Sequence, residues 1–198
     1  MKIIIIGASG TIGKKVTEAL QGKNEIITAG SKSGDFQLDI TSPESIERFY
    51  EKVGPFDALV STTGSEHFGL LTSTTPADFK IGIESKLLGQ INLVLIGQHH
   101  INPKGSFTLT SGILSEDPVV NGVNLGTING GLNSFVISAA IELQNGVRIN
   151  AVSPGVVEDS PGYFEYFPGH EPVAMDKVAN AYIKSVLGAI TGQVIKVF

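Results

Sequence analysis

The sequence predicts one α/β domain over residues 1–198, with helices on both faces of a doubly wound parallel sheet of about seven strands. The isoleucines at positions 3–6 form an unbroken β-branched run, which is typical of a strand that is covered on both faces. Short apolar segments then alternate with amphipathic segments along the chain, as in successive strand–helix–strand units. Neither an internal repeat nor a linker divides the sequence.

Composition restricts the class of protein. The chain is long enough to bury a sizeable core, and 41% hydrophobic against 17% charged residues excludes a disordered chain. The net charge is −5 and no basic run is present, so we expect neither a nucleic-acid nor a membrane partner. The absence of cysteine excludes disulfides and agrees with a cytoplasmic protein. The histidines and carboxylates show no ligand spacing, so no metal site is predicted.

A glycine-rich loop follows the first strand and precedes the first helix. Glycine permits a tight turn and a close backbone approach, and a helix N-terminus offers free N–H groups to a phosphate. This placement favours a dinucleotide-binding loop over a strand-to-helix turn without a ligand. The expected cofactor contacts in this loop are Gly7, Ser9, Gly10, Thr11, Ile12 and Gly13.

The second strand, residues 25–29, ends in a polar loop that contains Ser31, Lys32 and Ser33. A carboxylate at this point would bind the adenosine ribose 2′-hydroxyl and repel a 2′-phosphate. Hydroxyl groups and an ammonium group are present instead, so NADP(H) is favoured over NAD(H). The alternative is an ordinary Gly/Ser turn without a ligand.

The remaining elements follow in order. Ser42 and Pro43 predict the N-cap and first residue of a helix over residues 44–52. Right-handed crossovers place the carboxyl ends of the strands at one edge, so Gly7, Gly30, Asp39 and Gly64 are expected around one crevice. Further strands are predicted at residues 57–61, 105–112, 147–153 and 192–198, further helices at 76–98, 125–144 and 176–187, and a loop or short lid at 156–172.

These segments together resemble the short-chain dehydrogenase/reductase family, a Rossmann-type fold. The resemblance covers essentially the whole chain, with the glycine loop and the stretch from Arg148 to Gly155 as its most specific parts. It implies NAD(P) binding and association through two long central helices as a homodimer or homotetramer. The cofactor contacts that it implies beyond the glycine loop are Asp39, Ile40, Thr62, Thr63, Gly64, Pro154, Gly155 and Val156.

The catalytic positions depart from the family pattern, in which a serine acts with a Tyr-x-x-x-Lys pair. Ser111, or the neighbouring Thr110, stands at the serine position, whereas alignment places Leu125 at the tyrosine position and Asn129 at the lysine position. Leucine cannot transfer a proton, and a neutral amide cannot lower the pKa of a phenol.

Other side chains are candidates for the missing proton transfer. Lys86 follows Ser85, which stands at the family's asparagine position, and a different helical register would bring Lys86 toward the cofactor. The alternative is a solvated lysine. For His67 a loop position without catalytic function is favoured, and for Tyr163 and Tyr166 packing of the lid.

Two functions agree with these features. The first is an NADP(H)-dependent oxidoreductase that acts on a small carbonyl or alcohol substrate with an atypical proton relay. The second is a catalytically inactive NADP-binding sensor or regulatory protein, which the missing Tyr/Lys pair motivates directly. A structural scaffold that binds no nucleotide is disfavoured, because it would not explain why the glycine loop and the Pro154–Gly155 turn occur in the same chain.

Overall fold

The computed structural model describes residues 1–198 and centres on one sheet of seven parallel strands. The strand order is β3-β2-β1-β4-β5-β6-β7, so the chain winds outward from β1 in one direction and then from β4 in the other. The predicted doubly wound parallel sheet is therefore confirmed. The strands are β1 Lys2–Ile6, β2 Glu25–Gly30, β3 Phe36–Gln37, β4 Phe56–Ser61, β5 Ile101–Thr110, β6 Arg148–Pro154 and β7 Val194–Val197.

The helices form a layer on each face of the sheet, and β1 packs against both layers. Ile4 and Ile6 belong to the apolar core shared with α2, α4 and α5, whereas Ile3 and Ile5 belong to the core shared with α1 and α6. All four are at most 1% exposed, which is why the strand is entirely apolar after Lys2. The helices are α1 Thr11–Leu20, α2 Pro43–Val53, α3 Pro76–Gly82, α4 Gly89–Gly97, α5 Val123–Ala139 and α6 Met175–Leu187. None is long and apolar enough to cross a lipid bilayer.

Helix α2 begins as the sequence predicts. The Ser42 side chain accepts a hydrogen bond from the Ser45 backbone N–H at 3.2 Å, and Pro43 is the first helical residue. This cap satisfies one of the free N–H groups that a helix N-terminus leaves.

Four elements differ from the sequence expectation. Strand β5 spans Ile101–Thr110 instead of residues 105–112, because the chain before Gly105 already pairs with the start of β4. The edge strand β3 has only two residues, too few for a recognisable hydrophobic pattern. Helix α5 ends at Ala139 instead of residue 144, and the chain then turns through Asn145 and Gly146, both with positive φ. The predicted helix over residues 76–98 is interrupted by a π-helical turn at Ile83–Leu88.

Tyr50 on α2 joins two layers of the fold. Its ring is fully buried and stacks on Phe56 with centroids 5.4 Å apart, and its hydroxyl donates to the Leu93 carbonyl at 2.7 Å. Burial raises the pKa of the phenol well above its usual value, so the hydroxyl keeps its proton and remains a donor.

We expect Tyr50→Phe to lower the free energy of unfolding by about 1 kcal/mol, because it removes this buried hydrogen bond and little volume. Urea unfolding should show a lower midpoint with an unchanged m-value. Tyr163→Phe is the control, since Tyr163 is 55% exposed. Equal midpoints for the wild type and Tyr50→Phe would contradict the assigned role.

Candidate functional site

The glycine loop is a tight cradle between β1 and α1. Gly7 has a φ of +84°, and a Cβ at Gly13 would lie 2.1 Å from the Gly7 carbonyl oxygen. The Thr62 hydroxyl makes hydrogen bonds of 3.1 and 3.2 Å to the carbonyls of Ile6 and Gly7. Gly10 caps α1 without a side chain, so the first N–H groups of the helix remain available. These residues fit a bound phosphate.

The loop after β2 contacts the glycine loop directly. The Ser33 hydroxyl bonds to the Ser9 hydroxyl at 2.9 Å, and residues 31–33 are exposed. The nearest carboxylate in sequence, that of Asp35, accepts hydrogen bonds from the Thr28 backbone N–H and hydroxyl, which lower its pKa. The carboxylate is thus held by β2, and the loop offers hydroxyl groups and the Lys32 ammonium.

The predicted cofactor-binding residues are divided between two cavities, whereas the sequence predicts one crevice. Ser31 and Asp39 line a cavity of about 770 Å³ beside β3, together with Arg48 of α2. The reason is local: β3 lies at the edge of the sheet, so the chain from 31 to 39 borders this separate cavity. Asp39 accepts hydrogen bonds from Thr41, which lower the pKa of its carboxyl group. Sequence analysis did not single out Arg48. Its one sequence signal is its position on α2 one turn after Ser45, which lines the same cavity.

The second cavity, a crevice of about 270 Å³, lies at the carboxyl ends of β4, β5 and β6. Most of its sixteen lining residues are named in the sequence analysis, and Glu66 lines it as well. Its lining residues are Ile12, Thr62, Thr63, Gly64, Glu66, Lys86, Thr110, Ser111, Gly112, Ile113, Leu114, Leu125, Asn129, Pro154, Gly155 and Phe167. None of them is a tyrosine. The predicted contacts Gly7, Ser9, Gly10, Thr11, Lys32, Ser33, Gly13, Ile40 and Val156 line neither cavity.

The structure separates the two hydroxyl candidates at the end of β5. The Thr110 hydroxyl donates to the Ser61 carbonyl and pairs with the Tyr182 hydroxyl at 2.6 Å. The Ser111 hydroxyl is buried and has no hydrogen-bond partner. The buried side-chain oxygen of Asn129, which lines the same crevice, is also unpartnered. Buried polar groups are normally paired, so the side chains of Ser111 and Asn129 are free to bind a polar group in the crevice.

Lys86 lies in the π-helical turn and reaches the crevice. Its ammonium is 2.8 Å from the Glu66 carboxylate, and the two side chains are 11% and 32% exposed. A Cβ at Gly64 would lie 2.6 Å from the Lys86 Cβ, so the helix can pack here only against glycine. The Ser85 hydroxyl accepts from the Ser65 N–H at 2.9 Å and fixes the same contact.

The segment from 156 to 172 lies beside the crevice. It contains a short 3₁₀ helix, Pro161–Tyr166, and Phe167 lines the crevice. Tyr163 and Tyr166 make edge contacts with Phe68, with ring centroids 6.4 and 5.0 Å away. The tyrosine rings therefore pack the loop after β4 against this segment.

Neither His67 nor a metal site contributes to the crevice. The His67 ring bonds to the Thr74 hydroxyl at 3.2 Å, and His67 is absent from the crevice lining. No three histidine, aspartate or glutamate side chains are arranged to hold a metal ion.

The fold and the site define a doubly wound α/β protein with a glycine cradle and a polar crevice at the strand ends. Residues 8–187 match the family model described as enoyl-(acyl carrier protein) reductase. The chain belongs to the short-chain dehydrogenase/reductase family, as the sequence predicts.

Individual relatives agree with this assignment. The protein lin1944 from Listeria innocua is 52% identical, with a TM-score of 0.98 and full coverage of both chains. A small-chain dehydrogenase in complex with NADPH is 26% identical over 100% of this chain and 96% of that chain, with a TM-score of 0.89. The uncharacterized oxidoreductase YmfI of Bacillus subtilis (strain 168) is 26% identical over 98% of this chain and 96% of that protein.

Proposed function

We propose that the protein is an NADP(H)-dependent oxidoreductase that acts on a small carbonyl or alcohol substrate. The observation that carries this proposal is the unpartnered Ser111 hydroxyl in a crevice at the strand ends. A buried hydroxyl donor in this crevice is suited to a carbonyl oxygen that gains negative charge during reduction. The NADPH-bound relative supports the choice of cofactor.

The residues of the chain fit this cofactor. The cradle of Gly7, Gly10 and Gly13 would hold the pyrophosphate, and the exposed loop of residues 31–33 would meet the ribose phosphate. When bound, NADPH supplies a hydride, while the protein provides orientation and electrostatics. The buried amide oxygen of Asn129, which lines the crevice without a hydrogen-bond partner, would accept a hydrogen bond from the cofactor or the substrate.

The proposed catalytic side chains are Ser111 and Lys86. Ser111 would donate a hydrogen bond to the substrate oxygen, and Lys86 would supply the proton that a tyrosine supplies elsewhere in the family. Both line the crevice, and so do Leu125 and Asn129, the residues at the aligned tyrosine and lysine positions.

A second candidate is an NADP-binding sensor without catalytic activity. The absence of a tyrosine from the crevice lining favours it, because the family's proton donor is then missing. Thermal unfolding with NADPH and NADH tests both functions: at a hundred times the Kd, binding should stabilise the fold by about 2.7 kcal/mol. Oxidation of NADPH with a panel of aldehydes and ketones then distinguishes the enzyme from the sensor, and binding of neither cofactor would exclude both.

Ser31→Asp should weaken NADPH binding by at least about 1.4 kcal/mol, or tenfold, and NADH binding by much less. The reason is that a carboxylate here repels a 2′-phosphate and accepts from a 2′-hydroxyl. Calorimetric titration measures both affinities. Ser73→Asp, an exposed change in the loop before α3, is the control, and an equal loss for the two cofactors would refute the assigned phosphate site.

Ser111→Ala should lower kcat by about 10²–10³, the usual effect of removing one donor to a developing oxyanion. NADPH affinity should stay the same, since the donor serves the substrate. Ser153→Ala is a matched control: that hydroxyl is also buried and unpartnered but does not line the crevice. Unchanged turnover in Ser111→Ala would remove the assigned role.

We also propose that the protein associates with a second copy through the helices from α3 to α5. Ile81, Leu88 and Leu95 recur every seven residues and are 43–48% exposed, and Ile137 and Ile141 of α5 are 55% and 85% exposed. Several exposed apolar side chains on neighbouring helices favour a protein interface on this side of the molecule.

The double substitution Leu88→Glu/Leu95→Glu should therefore give a monomer in size-exclusion chromatography with light scattering, while the wild type elutes as a dimer or tetramer. Charged side chains in an apolar interface lose hydration without gaining a partner. Leu187→Glu on α6, also at an exposed leucine, should leave the oligomer intact. A monomeric wild type would contradict the proposal.

A further inference from the structure

The Glu66–Lys86 pair differs from the other ion pairs of the protein. Lys86 is 11% exposed, whereas the lysines of the other pairs, Lys15, Lys80 and Lys196, are 34%, 67% and 53% exposed. Both Glu66 and Lys86 line the crevice that contains Ser111. Withdrawing an ammonium from water is unfavourable unless a partner compensates, so the position of Lys86 depends on Glu66.

The backbone around this pair is arranged to bring Lys86 into the crevice. The π-helical turn Ile83–Leu88 changes the direction of the side chains relative to a regular helix, and such turns occur frequently at functional sites. Contact with Gly64 and the hydrogen bond from Ser65 to Ser85 lock the turn against the loop that contributes Glu66. An ordinary surface ion pair requires none of these features.

We propose that Glu66 and Lys86 form the proton relay of the oxidoreductase, with Lys86 as the acid and Glu66 as its positioning residue and route to solvent. The proposal rests on the function proposed above. In the direction of reduction, the carbonyl carbon gains the hydride of NADPH and the carbonyl oxygen gains the Nζ proton of Lys86. The neutral amine then regains a proton from water through the Glu66 carboxylate.

The charge and the exposure of the two side chains decide which is the acid and which exchanges protons with solvent. The Lys86 side chain is the less exposed of the two and lines the same crevice as Ser111, so Lys86 is the residue assigned to protonate a bound substrate. The Glu66 carboxylate contacts the Lys86 ammonium at 2.8 Å, and its side chain is 32% exposed, so Glu66 can exchange protons with bulk water. The net reaction consumes one NADPH, one carbonyl group and one solvent proton.

Turnover of the best carbonyl substrate tests this relay. Glu66→Gln and Lys86→Ala should each lower kcat by at least about tenfold, within the range of general acid catalysis, while the Kd of NADPH stays within about twofold. The solvent deuterium isotope effect on kcat should rise in Glu66→Gln, because reprotonation becomes slower, and Glu66→Asp should recover part of the rate. Added ethylammonium should restore turnover to Lys86→Ala in proportion to its concentration.

The Lys80–Glu84 pair provides the matched control. It joins the same residue types at 2.9 Å one turn away, but both side chains are more than half exposed, so Lys80→Ala and Glu84→Gln should change neither kcat nor the isotope effect. An active wild type with unchanged kcat in Glu66→Gln would overturn the relay alone. A wild type that binds NADPH but reduces no carbonyl would overturn the relay and the oxidoreductase together.

Discussion

The contact between Gly7 and Gly13 is the constraint on which the rest of the site depends. Helix α1 approaches β1 so closely that the Gly7 carbonyl occupies the space of a Cβ at residue 13. The same carbonyl accepts from Thr62 at the end of β4, so one oxygen joins β1, α1 and β4. Any side chain at residue 13 would separate these elements. Gly13 is therefore required for packing, independently of any contact with a nucleotide.

A second set of buried contacts fixes the end of β5. The Gln90 side chain both donates to and accepts from the Thr110 backbone at 2.9 Å, and Tyr182 holds the Thr110 hydroxyl from the other face of the sheet. Burial raises the pKa of Tyr182 far above its usual value, so this phenol is a structural donor. Thr110 is thus satisfied on both sides, whereas the hydroxyl of the neighbouring Ser111 has no hydrogen-bond partner. Rigid support of this kind is what a preorganised site requires.

Sequence analysis predicted the fold and the family because their signals are local. The isoleucines of β1 predict a strand, and the cap at Ser42 predicts the start of a helix, each from only a few consecutive residues. The π-helical turn has no comparable signal, because it depends on contacts between α3–α4 and residues 64–66. Lys86 was thus a candidate only in an altered register, and its pairing with Glu66, twenty residues away in the chain, required the tertiary structure.

The unpartnered groups of the crevice have a consequence for the ligand-free protein. A buried polar atom without a hydrogen bond costs about 1–3 kcal/mol, and Ser111 and Asn129 each bury one. Apolar residues of similar shape would remove this penalty, so these two side chains lower the stability of the ligand-free fold. A bound group that makes hydrogen bonds to both side chains would recover this free energy and so stabilise the fold.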